Sequence, residues 1–297
     1  MLQLLTLAGC PLCKLNDRKH LFNIKHSAVY QCRICGLRYI DPCLSEEAMA
    51  GVYESNENLT KFHDFHEGYY DYGDLSKKSK TLIDFRRALS MLENHVAERS
   101  IFDVGFGNGF FLAAARERGW KVCGIDSSMK NLELTRKKFS LELTCANFDI
   151  YEPDDTKYDV VSFWDVIEHC SDPYKFIKKA AQMLKPNGFV LIGLPNDRSL
   201  LRIISAAIYQ LSFGKIKSGI ARTYFLEHVA YYELKTLSEL MKRNRFVIRD
   251  FFYTSTDLAK YSLAAWEKLM AACILMTGCF LHLENRLVAI FQSGMGN

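Results

Sequence analysis

The sequence lacks any long run of one charge. Its longest basic blocks are Lys77-Lys78 and Arg136-Lys137-Lys138, and a net charge of +4 is spread over 297 residues. A nucleic-acid surface leaves a clustered basic footprint, so nucleic acid is not expected as a partner. It also lacks an apolar run of membrane-spanning length. The strongest candidate, residues 269–281, is 13 residues uninterrupted by charge, where about 20 are needed to cross a bilayer. No basic residue precedes Lys14; Leu7-Ala8-Gly9-Cys10 matches a bacterial lipoprotein cleavage box, but the basic segment and longer apolar core of an export signal are missing. A disulfide framework is not indicated either. Of ten cysteines, five lie within the first 43 residues, while Cys123, Cys145, Cys170, Cys273 and Cys279 are scattered singly in apolar surroundings and read as small buried hydrophobes. That usage suits a reducing compartment, and a cytoplasmic location is expected. With 49% hydrophobic and 24% charged residues, the chain has ample material for one large folded domain plus a small appendage.

The five early cysteines are ordered. Cys10-Pro11-Leu12-Cys13 and Cys32-Arg33-Ile34-Cys35 are two C-x-x-C knuckles separated by 18 residues. This spacing predicts a four-thiolate zinc ribbon over residues 1–44, with a hairpin between the knuckles. Four protein ligands leave no open position, so Cys10, Cys13, Cys32 and Cys35 are expected to hold a structural zinc ion rather than a hydrolytic one. A module of about 40 residues cannot stabilise itself on its own core, and the metal supplies what is missing.

The rest of the chain is organised around Asp103-Val104-Gly105-Phe106-Gly107-Asn108-Gly109, which sits between the apolar run 101–102 and the helix-like run 110–115. Strand, glycine turn and helix make a cofactor loop, with bare amides and a helix N-terminus available to a ligand. Phe110 occupies the place of the third glycine of a dinucleotide fingerprint, and the Gly-Lys-Ser/Thr ending of a phosphate-cradling loop is absent. Asp103 is placed to accept from an ammonium group. Seventeen residues after Gly109, at the end of the strand-like run 122–125, Asp126 can accept from ribose hydroxyls.

With these residues the chain resembles the class I S-adenosylmethionine (SAM) dependent methyltransferases over roughly residues 79–197. Three further signals follow in order. Asn147-Phe148-Asp149 comes after a third strand-like run, 141–146; Tyr158 to His169 resembles the fourth strand and its exit; and Leu184-Lys185-Pro186-Asn187-Gly188 resembles the L-K-P-x-G turn into the fifth. The resemblance implies SAM as cofactor, held by Asp103, Gly105, Gly107, Gly109, Asp126, Ser127, Asn147, Phe148, Asp149 and Trp164, with the adenine amine on either Asn147 or Asp149. It implies an α/β fold: a doubly wound, Rossmann-like, mostly parallel sheet with an antiparallel last strand, in addition to the zinc ribbon. Alternation of strand-like and helix-like runs from residue 101 to 184 gives the same parallel sheet independently. The cysteine ribbon followed by Gly36-Leu37-Arg38-Tyr39-Ile40-Asp41-Pro42 also resembles the leader of bacterial methyltransferases of small molecules and surface glycans.

Three stretches are read as accessories to a methyltransferase domain covering residues 79–297. Residues 45–78, rich in aromatics and including His63, His66, Tyr69 and Tyr70, read as a helical and aromatic lid, with Tyr69 and Tyr70 facing substrate. Residues 198–232 and 253–284 read as substrate-pocket insertions. In the first, Glu227-His228 matches an E-H-x-x-x-Y pattern that places His228 toward substrate in similar proteins. In the second, residues 269–281 read as a buried or pocket-lining helix, with peripheral membrane contact as the other reading.

A sulfonium methyl is already activated, so the protein need only align the acceptor and, for a hydroxyl, remove its proton. His169, at the exit of the fourth strand, is the candidate base, or else a residue bonding the strand exit. Asp165, Glu168 and His169 also resemble the cluster that binds a divalent metal in quinone O-methyltransferases. The expected function is methyl transfer to oxygen or carbon of a small acceptor: a sugar, a lipid-linked or quinone-like compound, or a natural-product intermediate. The alternatives are a ribosomal-RNA base methyltransferase with an N-terminal zinc finger and an inactive SAM-binding interaction module. The oligomeric state is open.

Overall fold

The computed structural model describes residues 3–45, 48–49, 75, 79–258 and 264–294. The expected lid residues Tyr69 and Tyr70, with His63 and His66, lie outside the described residues.

The N-terminal part is built on five strands: β1 (Leu4–Leu5), β2 (Arg18–Ile24), β3 (Ser27–Cys32), β4 (Arg38–Asp41) and β5 (Cys43–Leu44). β2, β3 and β4 form an antiparallel meander, and β1 pairs with β5. Each cysteine knuckle closes its turn with an amide returning to its first cysteine, Lys14 to Cys10 and Gly36 to Cys32. Both closing residues have positive φ, 62° at Lys14 and 82° at Gly36, which turns the chain back sharply.

The larger part begins with α1 (Lys80–Glu93), capped by Ser79, whose Oγ accepts from the Leu82 amide. Leu82, Phe85, Leu89 and Leu92 recur at spacings of three and four, and all are buried. Then come β6 (Ser100–Val104), α2 (Phe110–Glu117), β7 (Lys121–Asp126), α3 (Met129–Phe139), β8 (Thr144–Cys145), β9 (Tyr158–Trp164), a 3-10 turn at Ile167–His169, α4 (Pro173–Met183) and β10 (Leu184–Pro195). After β10 follow α5 (Leu200–Leu211), α6 (Ser218–Ala221), β11 (Ala230–Tyr231), α7 (Leu234–Arg243), β12 (Phe246–Thr254), α8 (Ala265–Phe280) and β13 (Arg286–Ser293).

Seven strands form one sheet in the order β12-β13-β10-β9-β6-β7-β8. β6 to β10 are parallel, and β13 runs antiparallel between β10 and β12. This is the doubly wound sheet with an antiparallel last strand expected from the sequence. Strand alternation splits the apolar residues between two layers. Phe102, Val161 and Ile192 face α4 and α7; Ile101, Val160 and Leu191 face α1 and α2. The third strand of the sheet is shorter than its apolar run, since only Thr144 and Cys145 pair with β7.

Three expectations are corrected. The ribbon is not an appendage. β11, from the insertion after β10, adds to the ribbon sheet as an antiparallel edge strand, with Ala230 opposite Tyr39 and Tyr231 opposite Arg38. Cys10, Leu12, Cys32 and Tyr39 then share a core with Tyr232, Leu237 and Met241. Asp172, at the start of α4 before Pro173, pairs with Lys14 of the ribbon at 3.1 Å and makes no side-chain cap bond. Second, α8 is not buried: of its positions only Gly278 is enclosed, while Leu269 and Met276 are largely exposed. Its apolar residues occupy all sides of the helix, and its neighbour α5 can cover only one. Third, of the five scattered cysteines only Cys170 is buried; Cys123, Cys273 and Cys279 are exposed.

One close approach can be tested for its share in stability. A Cβ added at Gly193 in β10 would come 2.2 Å from Trp164 of β9, whose ring is held edge-on by Phe85 of α1 at 4.7 Å. Such overpacking costs about 1–3 kcal/mol. Gly193→Ala should therefore lower the unfolding free energy from urea titration by that order; an unchanged value would mean that Trp164 moves aside without cost.

Candidate functional site

The parallel strands wind outward in both directions from β6, whose neighbours are β7 on one side and β9 on the other. The crevice at the carboxyl ends of these strands is where an open α/β sheet binds ligands. The glycine turn lies there. Gly105, Gly107 and Gly109 have φ of 74°, 54° and 75°, a region that disfavours side chains. A Cβ at Gly105 would meet Val166 at 2.6 Å and one at Gly109 would meet Thr135 at 2.4 Å, whereas nothing lies within 4 Å of the corresponding position at Gly107. Two of the glycines thus permit close packing, and the third leaves bare backbone beside open space.

Two carboxylates flank this turn. Alternation along β6 and β9 sets Asp103 and Ser162 on the same face, and Ser162 Oγ donates to Asp103 Oδ1 at 2.6 Å. Burial pushes the Asp103 pKa up to about 8; the Ser162 bond opposes the shift and the nearby charge of Asp126 adds to it. Asp126 is held from three directions. Its Oδ2 accepts from the Gly107 amide at 2.8 Å, and its Oδ1 from the Ser128 amide at 2.8 Å and Asn131 Nδ2 at 3.2 Å. Burial raises its pKa as well, against these bonds. A buried carboxylate raised in this way is suited to an ammonium partner, and a carboxylate fixed by backbone amides is suited to accept from hydroxyls.

The residues expected at the adenine end are arranged less evenly. Asn147 is exposed, and its Oδ1 closes the turn by accepting from the Asp149 amide at 2.8 Å. The Asp149 carboxylate is bound by Lys175 Nζ at 2.7 Å. The Phe148 ring is buried against Phe163 and Phe176, so that only its backbone can face a ligand. Ser127 is exposed, and its carbonyl accepts from the Cys145 thiol. The Trp164 indole is packed between Phe85 and Phe111, and its buried N–H has no hydrogen-bond partner among the described residues.

Beyond β9 the chain passes through Asp165, which has φ of 54°, into the 3-10 turn that carries Glu168 and His169. The left-handed residue turns the Asp165 carboxylate aside, where it accepts from Arg286 at 2.7 Å. The expected grouping of Asp165 with Glu168 and His169 is therefore not formed. His228 completes the cluster instead: ligand atoms of Glu168, His169 and His228 lie within 4.8 Å of one another. The two imidazole rings meet edge to face at 4.7 Å. His169 Nδ1 lies 2.8 Å from the Glu227 carbonyl, which can only accept. That contact puts the proton on Nδ1 and the basic lone pair on Nε2. Enclosure lowers the His169 pKa below the ordinary histidine value, opposed by the Glu227 contact. Glu168 is buried, and neither of its oxygens has a hydrogen-bond partner among the described residues. Burial, then the charge of Asp165, raises its pKa well above the usual carboxylate range. Glu227 is also buried, and burial pushes it up to about 8.

The four ribbon cysteines form a second cluster, again with ligand atoms within 4.8 Å of one another. Cys10 and Cys35 sulfurs are 3.5 Å apart, and those of Cys13 and Cys32 are 3.4 Å apart. The hydrogen bond to Cys10, then burial, raises the Cys35 thiol, and burial raises Cys13. Four soft donors crowded around one point fit a tetrahedral thiolate site. Cys43 lies apart, with its thiol directed to the Leu5 carbonyl.

Ser162, Asn131 and Arg286 are not singled out by the sequence, and Glu227 is marked there only as the first residue of the E-H-x-x-x-Y pattern. Ser162 leaves a signal as a lone polar residue within the apolar run Val160-Val161-Ser162-Phe163.

Known proteins share the fold of the wound sheet. Among curated relatives, the ubiquinone biosynthesis O-methyltransferase of Neisseria meningitidis serogroup A / serotype 4A is 31% identical over 153 residues, covering 47% of this chain and 64% of that protein. The enzyme of the same name from Rickettsia conorii is 26% identical over 168 residues, covering 55% and 58%. The chain thus spans less than two thirds of the length of these relatives. The magnesium protoporphyrin IX methyltransferase of Synechocystis PCC 6803 has the same fold, with a TM-score of 0.54 at 15% identity, over 84% of this chain and all of that one. Residues 76–250 match the family described as a methyltransferase domain. That match covers more than half of the chain, and the protein belongs to this methyltransferase-domain family.

Proposed function

We propose that the protein transfers the methyl group of SAM to a hydroxyl of a small acceptor, with His169 as general base. The observation that carries this reading is the Glu227 carbonyl at Nδ1 of His169, which leaves the ring basic at Nε2. The O-methyltransferase relatives support the choice of oxygen as acceptor atom.

In this reading Asp103 takes the ammonium of the cofactor, Asp126 its ribose hydroxyls and the Gly107 backbone its approach. Asn147 is favoured over Asp149 at the adenine amine, because the Asp149 carboxylate is occupied by Lys175. The bound cofactor supplies the electrophilic methyl group. His169 accepts the acceptor's proton at Nε2, Glu227 orients the ring through its carbonyl, and His228 lines the acceptor side. Residues 198–232 build that side, and the ribbon supports it through the pairing of β4 with β11.

A second reading of the same cluster is a divalent metal site. It is favoured by the buried, unpartnered Glu168 carboxylate next to two histidines, since a cation would relieve the cost of that burial. Two imidazoles and a carboxylate suit a transition metal, and the Glu227 carbonyl at Nδ1 is the kind of contact that orients a ligating histidine. In the ribbon, the cysteines would hold a structural zinc ion.

Three outcomes are expected. Free Asp103, with its pKa of about 8, is mostly protonated at neutral pH and must lose that proton to pair with an ammonium. SAM affinity should rise toward that pKa by up to about tenfold per pH unit. Calorimetry should show a weaker and pH-independent affinity in Asp103→Asn; an unaltered pH profile would remove Asp103 from the cofactor site. His169→Ala should lower kcat by roughly a hundredfold or more with SAM affinity nearly unchanged. In the wild type, the acid limb of the kcat profile should fall below the ordinary histidine value of about 6.5, because a base must be unprotonated and burial lowers its pKa. Activity that is indifferent to His169→Ala would exclude the base, and metal-dependent turnover that survives only with Glu168 and His228 intact would select the second reading. Finally, elemental analysis of protein purified without added metal should find zinc, and Cys13→Ser should lose it. Chelation should reduce turnover more than SAM affinity, because β4 carries β11 and the His228 segment rather than the glycine turn.

A further inference from the structure

We propose that α5 and α8, with the loop after α5, form a docking face for an anionic lipid bilayer. Side chains on this face are exposed to an extent that solvent alone does not explain: Leu211 is 81% exposed, Phe213 93%, Met276 74% and Phe280 86%. Trp266, at the start of α8, is 66% exposed. The two helices are one surface. Leu200 at the start of α5 lies against Gly278 near the end of α8, where an added Cβ would be 3.6 Å from its side chain, and the Leu200 amide donates to the Leu283 carbonyl at 2.9 Å. At the other end of α8, Glu267 is bound by Arg222 at 2.8 Å.

The chemistry around the apolar residues selects the occupant. From residue 199 to 226 there is no acidic residue, while Lys215, Lys217 and Arg222 are exposed beside Phe213 and Ile216. On α8 itself the sole acid, Glu267, is neutralised by Arg222 and is followed by exposed Lys268. The face is therefore apolar with a cationic rim. A symmetric pairing with a second copy would set that rim against itself. An anionic bilayer accepts both features, since lipid tails take the apolar side chains, headgroups take the lysines, and a tryptophan ring suits the boundary between them. The contact is peripheral. α8 has 16 residues, about 24 Å at the usual rise, and no helix among the described residues is long and apolar enough to cross a membrane.

The face is joined to the candidate site by a short connection. After α8 the chain runs through Asn285, whose carbonyl accepts from the Asn196 amide, into Arg286, which binds Asp165 at 2.7 Å. Docking would therefore bring the mouth of the site close to the lipid surface, where an amphiphilic acceptor resides. The surface itself does not depend on the methyl-transfer reading, because vesicle binding is measured without turnover.

The test is co-sedimentation of the full chain with vesicles of phosphatidylcholine, alone or mixed with phosphatidylglycerol. Binding to the mixed vesicles is expected, weakened by salt and much lower on phosphatidylcholine alone. The pair Phe213→Asp and Phe280→Asp should reduce it about tenfold or more, and Lys215→Gln with Lys217→Gln by about fivefold per lysine. All four positions are exposed, so thermal unfolding and SAM affinity should be unchanged, which separates loss of docking from loss of fold. No binding to mixed vesicles, or undiminished binding by the Phe213 and Phe280 variant, would overturn the proposal. So would a concentration-dependent dimer that Phe280→Asp dissociates, which would assign the face to a second copy.

Discussion

The hydrogen bond from Ser162 to Asp103 spans the point from which the sheet winds in two directions, and the site depends on it. Two adjacent parallel strands end there, and their connections leave on opposite sides, so a crevice opens that neither strand closes. A carboxylate at the bottom of that crevice cannot keep its charge cheaply. Burial raises Asp103, Asp126 raises it further, and Ser162 is the neutral donor that offsets part of the cost. The glycine turn then has no freedom to be anything else: side chains at Gly105 and Gly109 would collide with Val166 and Thr135, and the Gly107 amide is needed by Asp126.

A second constraint works through the ribbon. β11 is only two residues long, too short to hold the preceding His228 segment by itself, yet it is paired to β4 and followed by Tyr232, buried in the core shared by both parts. Further polar contacts tie the insertion to the ribbon. Arg38 reaches Asp197 at 3.3 Å and Tyr224 at 3.1 Å, while Arg202 meets the same Asp197 at 3.3 Å. On the other flank, Tyr174 of α4 donates to the Leu12 carbonyl within the first knuckle at 2.6 Å. Such pairs add little net stability, because desolvating both charges offsets most of their attraction. The cysteine cluster, distant in sequence from the histidines, is thereby joined to the segment that carries His228.

The family, the order of its strands and the two acids that flank the glycine turn were legible because each rests on local pattern: alternation for strands, three-and-four spacing for α1, glycine spacing for the turn. The paired C-x-x-C knuckles were legible for the same reason, since chelation from one turn demands close spacing. The sequence left residues 269–281 open between a buried or pocket-lining helix and a membrane contact, and burial fails because composition reports that side chains are apolar, not whether a neighbour covers them. The Arg286 partner of Asp165 was not legible, because sequence adjacency to Glu168 and His169 says nothing of a left-handed residue that turns the carboxylate toward it.

By itself, then, the sequence determined the wound α/β sheet, the glycine turn between Asp103 and Asp126, and a four-cysteine knuckle pair. Only the tertiary structure decided that His228 joins Glu168 and His169, that β11 completes the ribbon sheet, and that α8 presents its apolar residues outward. The physical reason is range. Backbone propensity and side-chain periodicity act over a few residues, whereas the Glu227 carbonyl reaches His169 across 58 positions and β4 meets β11 across nearly two hundred, contacts that exist only once the chain has closed on itself.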